Sequence, residues 1–421
     1  MTSDRIVAGL DIGSAKTTAI LAEVVGDLPR HPTIKVLGVG QARTTGLRRG
    51  VVSDIEETTR SIRKAIEDAE RMAGAHVDAV YAGIAGEHVR AMTSKGIVAV
   101  NGDEISKADV DRAHEVARAQ SIPQDRELLH AIPQEYTVDR NEGVRDPIGM
   151  IGTRLETEMY LVTIGSSPAM NLRKAVERAG YSVKELVLEP LASAFSVLSE
   201  DERELGVALV EMGAGTTDVA VFQEGKIRHL GTVNYGGNHV TSDIVHGLGL
   251  TQADAERIKE RYGCAYEPLI DSTEQLELPS TPAQGRRQIP RELLAHIIHQ
   301  RMDEIFDLVQ RDIDAAGYAG KLSAGVVLTG GAAMMQGAGE LANDVFGTGV
   351  RVGSPADKLS GLSDSVDAPR FATVVGLAQY GAVRLALSGV TGATRRTGGP
   401  RATGGVDKIA DRVKTWLQDF F

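Results

Sequence analysis

The sequence predicts an α/β chain of two similar domains, with a small α+β unit inserted in the first and an amphipathic helix at the C-terminal end. Three observations carry this reading. A strand–turn–strand pattern at Val7 to Leu21 (VAGLDIGSAKTTAIL) recurs at Val207 to Phe222 (VALVEMGAGTTDVAVF). The texture of the chain changes between Ile84 and Ile164. The last residues have one apolar side when wound as a helix.

In the first pattern a short apolar run reaches Asp11, turns through Gly13 and becomes apolar again, which reads as a buried hairpin. Gly13 allows a tight turn with exposed backbone N–H groups, and Ser14, Lys16 and Thr17 add donors at the same corner. That is the chemistry of a phosphate cradle, and Asp11 at the strand end can hold a metal ion through water. In the second copy Gly213 stands where Gly13 does, Thr217 where Thr17 does, and Glu211 where Asp11 does. A repeat at this distance suggests two similar domains, whose hairpins can clamp one polyphosphate from both sides.

Composition narrows the function classes. With 421 residues the chain is long enough for two or more domains with sizeable cores. Hydrophobic residues at 42% and charged residues at 24% suit a soluble globular protein. The net charge of −11 argues against nucleic acid as a partner, which asks for a basic surface. The single cysteine, Cys264, excludes an intramolecular disulfide and fits a reducing cytoplasm. The start, MTSDRIVAGLDIG, does not read as a signal peptide, and no run approaches the ~20 apolar residues of a spanning helix.

Along the chain, residues 5–40 read as a three-strand meander. Ser53-Asp54-Ile55-Glu56 reads as a capping box, with the Ser53 hydroxyl taking the Glu56 N–H. The helix it opens runs to about Gly74, with Ile55, Ile62, Ala65, Ile66 and Ala69 on one face. The inserted unit shows strands at GIVAVNG, EYTVD and EMYLVTIG, a helix opened by Ser106, and a polar loop DRNEGVRDPIGMIG. A helix follows from Pro168 to Gly180, then a strand (VKELVLEP) and another helix from Leu191. After the second hairpin, helices are expected around 238–247, over Thr251 to Tyr262 and over Arg291 to Ala316, with 263–290 as an irregular excursion. Val326 to Ala333 is a strand ending in a glycine pair, which lets a ligand approach backbone closely. Phe371 to Leu387 is a final apolar helix, and the Gly-, Thr- and Pro-rich 388–405 a flexible linker.

The tail is VDKIADRVKTWLQDFF. Wound at about 100° per residue, Val406, Ile409, Ala410, Val413, Trp416, Leu417, Phe420 and Phe421 fall in one arc of roughly 140°. Such a helix is too short to span a bilayer and suited to lie in its interface. The alternative is a helix packed on its own domain. Three acids balance three bases in the tail, so binding rests on apolar burial and on several copies per assembly.

DIGSAKTTAI, EPLASAF, EMGAGTTDVAVF, VVLTGGAA and FATVVGLAQYGA resemble, in order, the five nucleotide-site motifs of the actin/DnaK/sugar-kinase ATPase superfamily. Within it the chain resembles the FtsA family of bacterial cell-division proteins. The segment GLRRGVVSDIEETTRSIRKAIEDAE, the insertion with IPQEYTVDRNEGVRDPIGMIGTRLE, and the linker with its amphipathic tail carry that likeness. The resemblance implies an actin-like (ribonuclease H-like) fold. Its first domain would span 1–83, 166–203 and the returning helix 369–387, with the inserted subdomain at 84–165. The second domain would span 204–368, its outer part about 240–320. The linker would span 388–405 and the membrane-targeting helix 406–421.

Carried over by motif, the resemblance implies ATP with Mg2+. Asp11, Gly13, Ser14 and Lys16 would lie at the first phosphate loop, and Gly213, Gly215 and Thr216 at the second. Asp11, Glu211 and Asp218 would hold the magnesium through water. Glu189 would orient water or metal as the catalytic carboxylate. Gly330, Gly331 and Ala332 would form the adenosine loop, with Glu256 and Lys259 beside it; the alternative for that pair is an ordinary surface ion pair. Glu211 and Ala214 depart from the superfamily's usual Asp-x-Gly-Gly-Gly, which puts efficient hydrolysis in doubt and suits a slow ATPase. The implied partners are the FtsZ C-terminal peptide, further copies in filaments, other division proteins and anionic inner-membrane lipid, on the cytoplasmic membrane face at midcell. A sugar kinase and a PilM-type pilus-assembly scaffold are the other readings; the tail speaks against the second. His296, His299 and Asp303 have metal-ligand spacing but read as a solvated helix face. Cys264 reads as lying in a polar loop with nothing nearby to activate it.

Overall fold

A computed structural model describes residues 5–27, 31–279, 285, 287–355 and 359–396. The apolar runs at the start form the strands β1 (Ile6–Ile12), β2 (Lys16–Asp27) and β3 (His31–Arg43), an antiparallel meander. A short hairpin follows, β4 (Leu47–Arg48) and β5 (Val51–Val52). Helix α1 (Ile55–Ala73) buries Ile62, Ala65, Ile66 and Ala69 as its periodicity predicts, and Gly74 ends it in the left-handed region. Its cap differs from expectation. Asp54, not Ser53, accepts from an early helical N–H, that of Glu57, because the Ser53 hydroxyl donates instead to the Gly46 carbonyl.

Strand β6 (Ala79–Ile84) lies parallel to β1 and leads into the inserted unit. That unit contains β7 (Arg90–Ala99), α2 (Lys107–Arg118), β8 (Arg126–Val138), β9 (Asn141–Val144) and β10 (Arg154–Gly165). They form an antiparallel sheet in the order β7-β10-β8-β9, with its own small core around Ile105, Val110 and Leu155. Ser106 and Asp109 form the reciprocal cap that opens α2. The polar stretch expected as a loop carries β9, because its Asn141–Val144 backbone finds partners on β8 despite having little to bury.

The chain returns through α3 (Ser166–Ala179), β11 (Ser182–Leu188), α4 (Glu189–Val197) and α5 (Glu200–Leu205). The second half then repeats the first: β12 (Val207–Met212), β13 (Thr217–Gln223) and β14 (Lys226–Val233) form another antiparallel meander. Helices α6 (Gly237–Leu248) and α7 (Gln252–Tyr262) follow. The excursion expected as irregular contains a hairpin of β15 (Gln275–Leu278) and β16 (Arg287–Pro290), whose Leu276, Leu278 and Ile289 are buried. Prolines and charges obscure that alternation in the sequence. Beyond it come α8 (Arg291–Ala315), β17 (Val326–Thr329), α9 (Ala338–Phe346), β18 (Val350–Val352), β19 (Leu359–Gly361) and α10 (Ala372–Arg396).

Two sheets of matching design result. The first runs β11-β6-β1-β2-β3-β19 and the second β14-β13-β12-β17-β18, each a meander extended by parallel strands. The repeat extends to register: Ile12 pairs with Thr17, and Met212 with Thr217. One large core joins residues of both halves, including Tyr81, Leu191, Leu209, Phe222 and Val375. Helix α10 packs on α4 and β1 and runs to Arg396, so the first nine residues assigned to a linker continue a helix. Extending an existing helix needs no new nucleus, which offsets the weak propensity of Gly389 and Gly392. The expected membrane helix, with Val406, Ile409, Val413, Trp416, Leu417, Phe420 and Phe421, lies outside the described residues.

The α10–α4 contact leaves no room for a side chain at Gly376, where a Cβ would run into the Ala192 carbonyl. Gly376→Ala should therefore cost about 1–3 kcal/mol, read from urea unfolding. Gly349→Ala, whose Cβ would meet nothing within 4 Å, should stay within about 0.5 kcal/mol of the parent.

Candidate functional site

The two hairpin turns have the same internal wiring. The Gly13 N–H donates to the Lys16 carbonyl at 3.1 Å, and the Gly213 N–H to the Thr216 carbonyl at 2.9 Å. The turns face each other so closely that a Cβ on Gly215 would lie 2.9 Å from Ser14 Oγ. Between the halves lies a cleft of about 690 Å³, within the range of small-molecule sites.

Of the residues singled out from the sequence, Asp11, Gly13, Ser14, Lys16, Glu189, Glu211, Gly213, Gly215, Thr216, Asp218, Glu256, Lys259, Gly330, Gly331 and Ala332 line the cleft. Thr17, expected as a donor at the same corner, does not, because its hydroxyl is buried and bonded to Thr44 and Ser61. Asp11 and Glu211 each lie one residue before the end of their strands, β1 and β12, and Asp218 lies opposite Glu211 on β13. Glu189 is the first residue of α4 and occupies the space a side chain at Gly83 would need, 2.8 Å from such a Cβ.

The four carboxylates define the electrostatics. Asp11 and Glu189 keep some surface open to the cleft, while Glu211 and Asp218 are buried. Burial raises Asp11 to about 7. It raises Glu211 to about 8, opposed by the Thr373 hydroxyl and reinforced by Asp218. Asp218 reaches about 6, raised by burial and restrained by the Thr232 and Thr216 hydroxyls. Glu189 is pushed well up by burial and then by Asp11, Glu211 and Asp218. Thr373 donates to Glu211 Oε1, whereas the buried Oε2 has no protein partner among the described residues. No three His, Cys, Asp or Glu side chains among the described residues converge to ligate one metal ion directly.

At the opposite end, Glu256 and Lys259 form no ordinary surface pair. Lys259 is buried, and its ammonium donates to Glu256 at 2.8 Å, to Thr241 Oγ1 at 2.7 Å and to the Gly237 carbonyl at 3.0 Å. The pair thereby ties α7 to the start of α6. The N–H groups of Gly237 and Asn238 donate in turn to the carbonyls of Gly213 and Ala214, bracing the second hairpin turn. His296 and His299 are spent on Glu267 and the Ala265 carbonyl. Cys264 is buried rather than set in an open loop, and burial raises its thiol.

Sequence reasoning missed several contributors. Gln41, Leu47, Gly50, Arg261, Gln336, Arg370 and Thr373 also line the cleft. His130, buried and held uncharged, accepts the Leu188 N–H at 3.0 Å and so links the inserted unit to the start of α4 and Glu189. Only the Arg49-Gly50 turn carried a local signal, a glycine-containing pair between short apolar stretches; the rest are brought in from distant elements.

Two matched sheets facing one another across a cleft, each with its hairpin turn in the mouth, constitute the actin-like two-domain fold. Solved structures share it. The PilM–PilN type IV pilus biogenesis complex superposes with a TM-score of 0.64 at 16% identity, covering 90% of this chain and 98% of that one. MreB5 of Spiroplasma citri bound to ADP gives 0.55 at 14%, covering 94% and 100%. Residues 208–376 match the family model "Cell division protein FtsA" and residues 86–163 the model "SHS2 domain inserted in FTSA". The Cell division protein FtsA of Pseudomonas aeruginosa is 41% identical over 423 residues, spanning 100% of this chain and 99% of that one. That of Escherichia coli K12 is 37% identical over 427 residues, spanning 100% and 99%. The chain belongs to the cell division protein FtsA family.

The raised carboxylates give a pH signature. A group with a raised folded pKa stabilises below its unfolded pKa and loses that contribution as pH rises through the folded value. The ligand-free protein should therefore lose stability between about pH 4 and about pH 8, the window set by Asp218, Asp11 and Glu211. Glu211→Gln, which keeps an acceptor for Thr373, should flatten the slope of urea midpoint against pH. An equally steep slope in the variant would clear Glu211 of the effect.

Proposed function

We propose that this chain is an ATP-binding cell-division protein that polymerises and anchors the FtsZ ring to the cytoplasmic face of the inner membrane, where it recruits later division proteins. Family membership supports the division role. The observation that supports nucleotide binding is the juxtaposition of the two hairpin turns around one cleft.

The residues present fit Mg-ATP. Lys16 and the Gly13 and Gly213 turns offer phosphate donors, Gly330 to Ala332 offers the adenosine side, and Glu211 Oε2 is a buried oxygen with no protein partner among the described residues. Because the acids do not converge for direct ligation, Asp11, Glu211 and Asp218 would hold magnesium through water. The ion would neutralise phosphate charge in the acidic cleft. Glu189 would orient the attacking water. Glu211 and the methyl of Ala214 favour slow turnover over efficient hydrolysis. Nucleotide closure of the two domains would favour filaments, and MamK, which shares the fold at a TM-score of 0.50, is described as a double helical filament.

Membrane attachment rests on the apolar arc of residues 406–421. Among the described residues no helix is long and apolar enough to cross a membrane. The outer part of the second domain, about 240–320, would receive the FtsZ C-terminal peptide.

Asp11→Ala and Gly213→Glu should each weaken Mg-ATP binding about tenfold or more, the effect of losing one charge-assisted contact of about 1.5–3 kcal/mol. Full-affinity binding by both, measured calorimetrically, would remove the two-sided clamp. Trp416→Glu, or deletion of 406–421, should abolish co-sedimentation with anionic liposomes while ATP binding persists; unchanged sedimentation would sink the anchor.

A further inference from the structure

A third turn reaches the hairpin end of the cleft. It joins β4 to β5 through Arg49 and Gly50, both in the left-handed region at φ 48° and 75°. Glycine adopts that backbone freely, but arginine does so under strain, and strained residues gather at ligand clamps and switches. The turn is seated firmly: a Cβ on Gly50 would strike the Ala85 carbonyl, and one on Gly86 would lie 2.8 Å from the Arg49 carbonyl. On its other side, the Cβ position of Gly215 lies 3.6 Å from the Arg49 Cα and 2.9 Å from Ser14 Oγ. The first hairpin turn, the second and the Arg49 turn thus meet at one place, and Leu47 and Gly50 line the cleft beside them.

The Arg49 side chain is exposed, and among the described residues no hydrogen bond or ion pair holds its guanidinium. Its charge is felt across the cleft by His239 in the first turn of α6. That imidazole is lowered first by burial, with Arg301 and Arg49 adding to the shift, and its Nδ1 accepts the Gly236 N–H. A forked, always-charged donor fits phosphate oxygens. Here it is free, and it rides on a fixed turn where both domains meet.

We propose that Arg49 contacts the terminal phosphate of a nucleoside triphosphate held between the hairpin turns and so sets the preference for triphosphate over diphosphate. The proposal rests on the nucleotide reading of the cleft. The guanidinium belongs to the first domain, whereas Gly215 and α6 belong to the second. A third phosphate would give it a partner at their junction, and a diphosphate would leave it in solvent.

The test is calorimetric titration of the full chain with Mg-ATP and with Mg-ADP, in the parent, Arg49→Gly and Arg49→Lys. Glycine suits the left-handed backbone, so Arg49→Gly removes the charge while relieving strain. The parent should prefer ATP. Arg49→Gly should lose roughly tenfold on ATP and less than about twofold on ADP, and Arg49→Lys should regain part of the loss with a point charge that lacks the fork. An unchanged ATP-to-ADP ratio in Arg49→Gly, equal losses on both nucleotides, or a parent that binds both equally overturns the role of Arg49 alone. A parent that binds neither nucleotide overturns the reading of the cleft, and the proposal with it.

Discussion

Four carboxylates share one cleft, and the rest of the molecule is arranged around tolerating them. Asp11, Glu189, Glu211 and Asp218 come from β1, α4, β12 and β13, so both domains contribute to the same crowded charge. Burial disfavours the charged form of each, so every one of them is raised, and neighbouring carboxylates add to the push on Glu189 and Glu211. Hydroxyls from Thr373, Thr216 and Thr232 take up part of the strain by donating to Glu211 and Asp218. A cation bound with its own anionic ligand, as proposed for this cleft, would relieve the remainder and so link the ligand to the gap between domains by charge.

That linkage reaches outward through a few contacts. Thr373 sits at the start of α10, the helix that returns to pack on α4 and β1, and Ser193 of α4 shares a 3.0 Å hydrogen bond with it. His130 of the inserted unit holds the backbone just before Glu189. Asn234, just beyond β14, donates to Glu87 at 3.2 Å, joining the second half to the chain entering the insertion. A change at the carboxylates therefore has short mechanical routes to α10 and to the inserted unit.

Much of the fold was legible because local chemistry and tertiary context agree. The alternating runs of β1 to β3, the periodic face of α1 and the Ser106 cap of α2 each follow from side chains a few positions apart. The misreadings share one cause, in that the decisive partner lay elsewhere. Ser53 gave its hydroxyl to Gly46 and left the cap to Asp54. Strands β9 and β15 were masked by polar residues because pairing, not burial of their whole length, defines them.

The sequence by itself determined that two copies of one hairpin exist, that each places an acid before a glycine turn, and that an amphipathic segment closes the chain. Those are properties of spacing, and spacing is fully present in one dimension. Only the tertiary structure decided that both turns meet within contact distance beside Arg49, that Lys259 is buried in a hydrogen-bonded network, and that Thr373 and His130 reach Glu211 and the backbone before Glu189. Those facts depend on how α4, α6 and α10 pack against two sheets. No local pattern encodes that packing, because the energy of a close contact depends on the residues brought together and not on their separation along the chain.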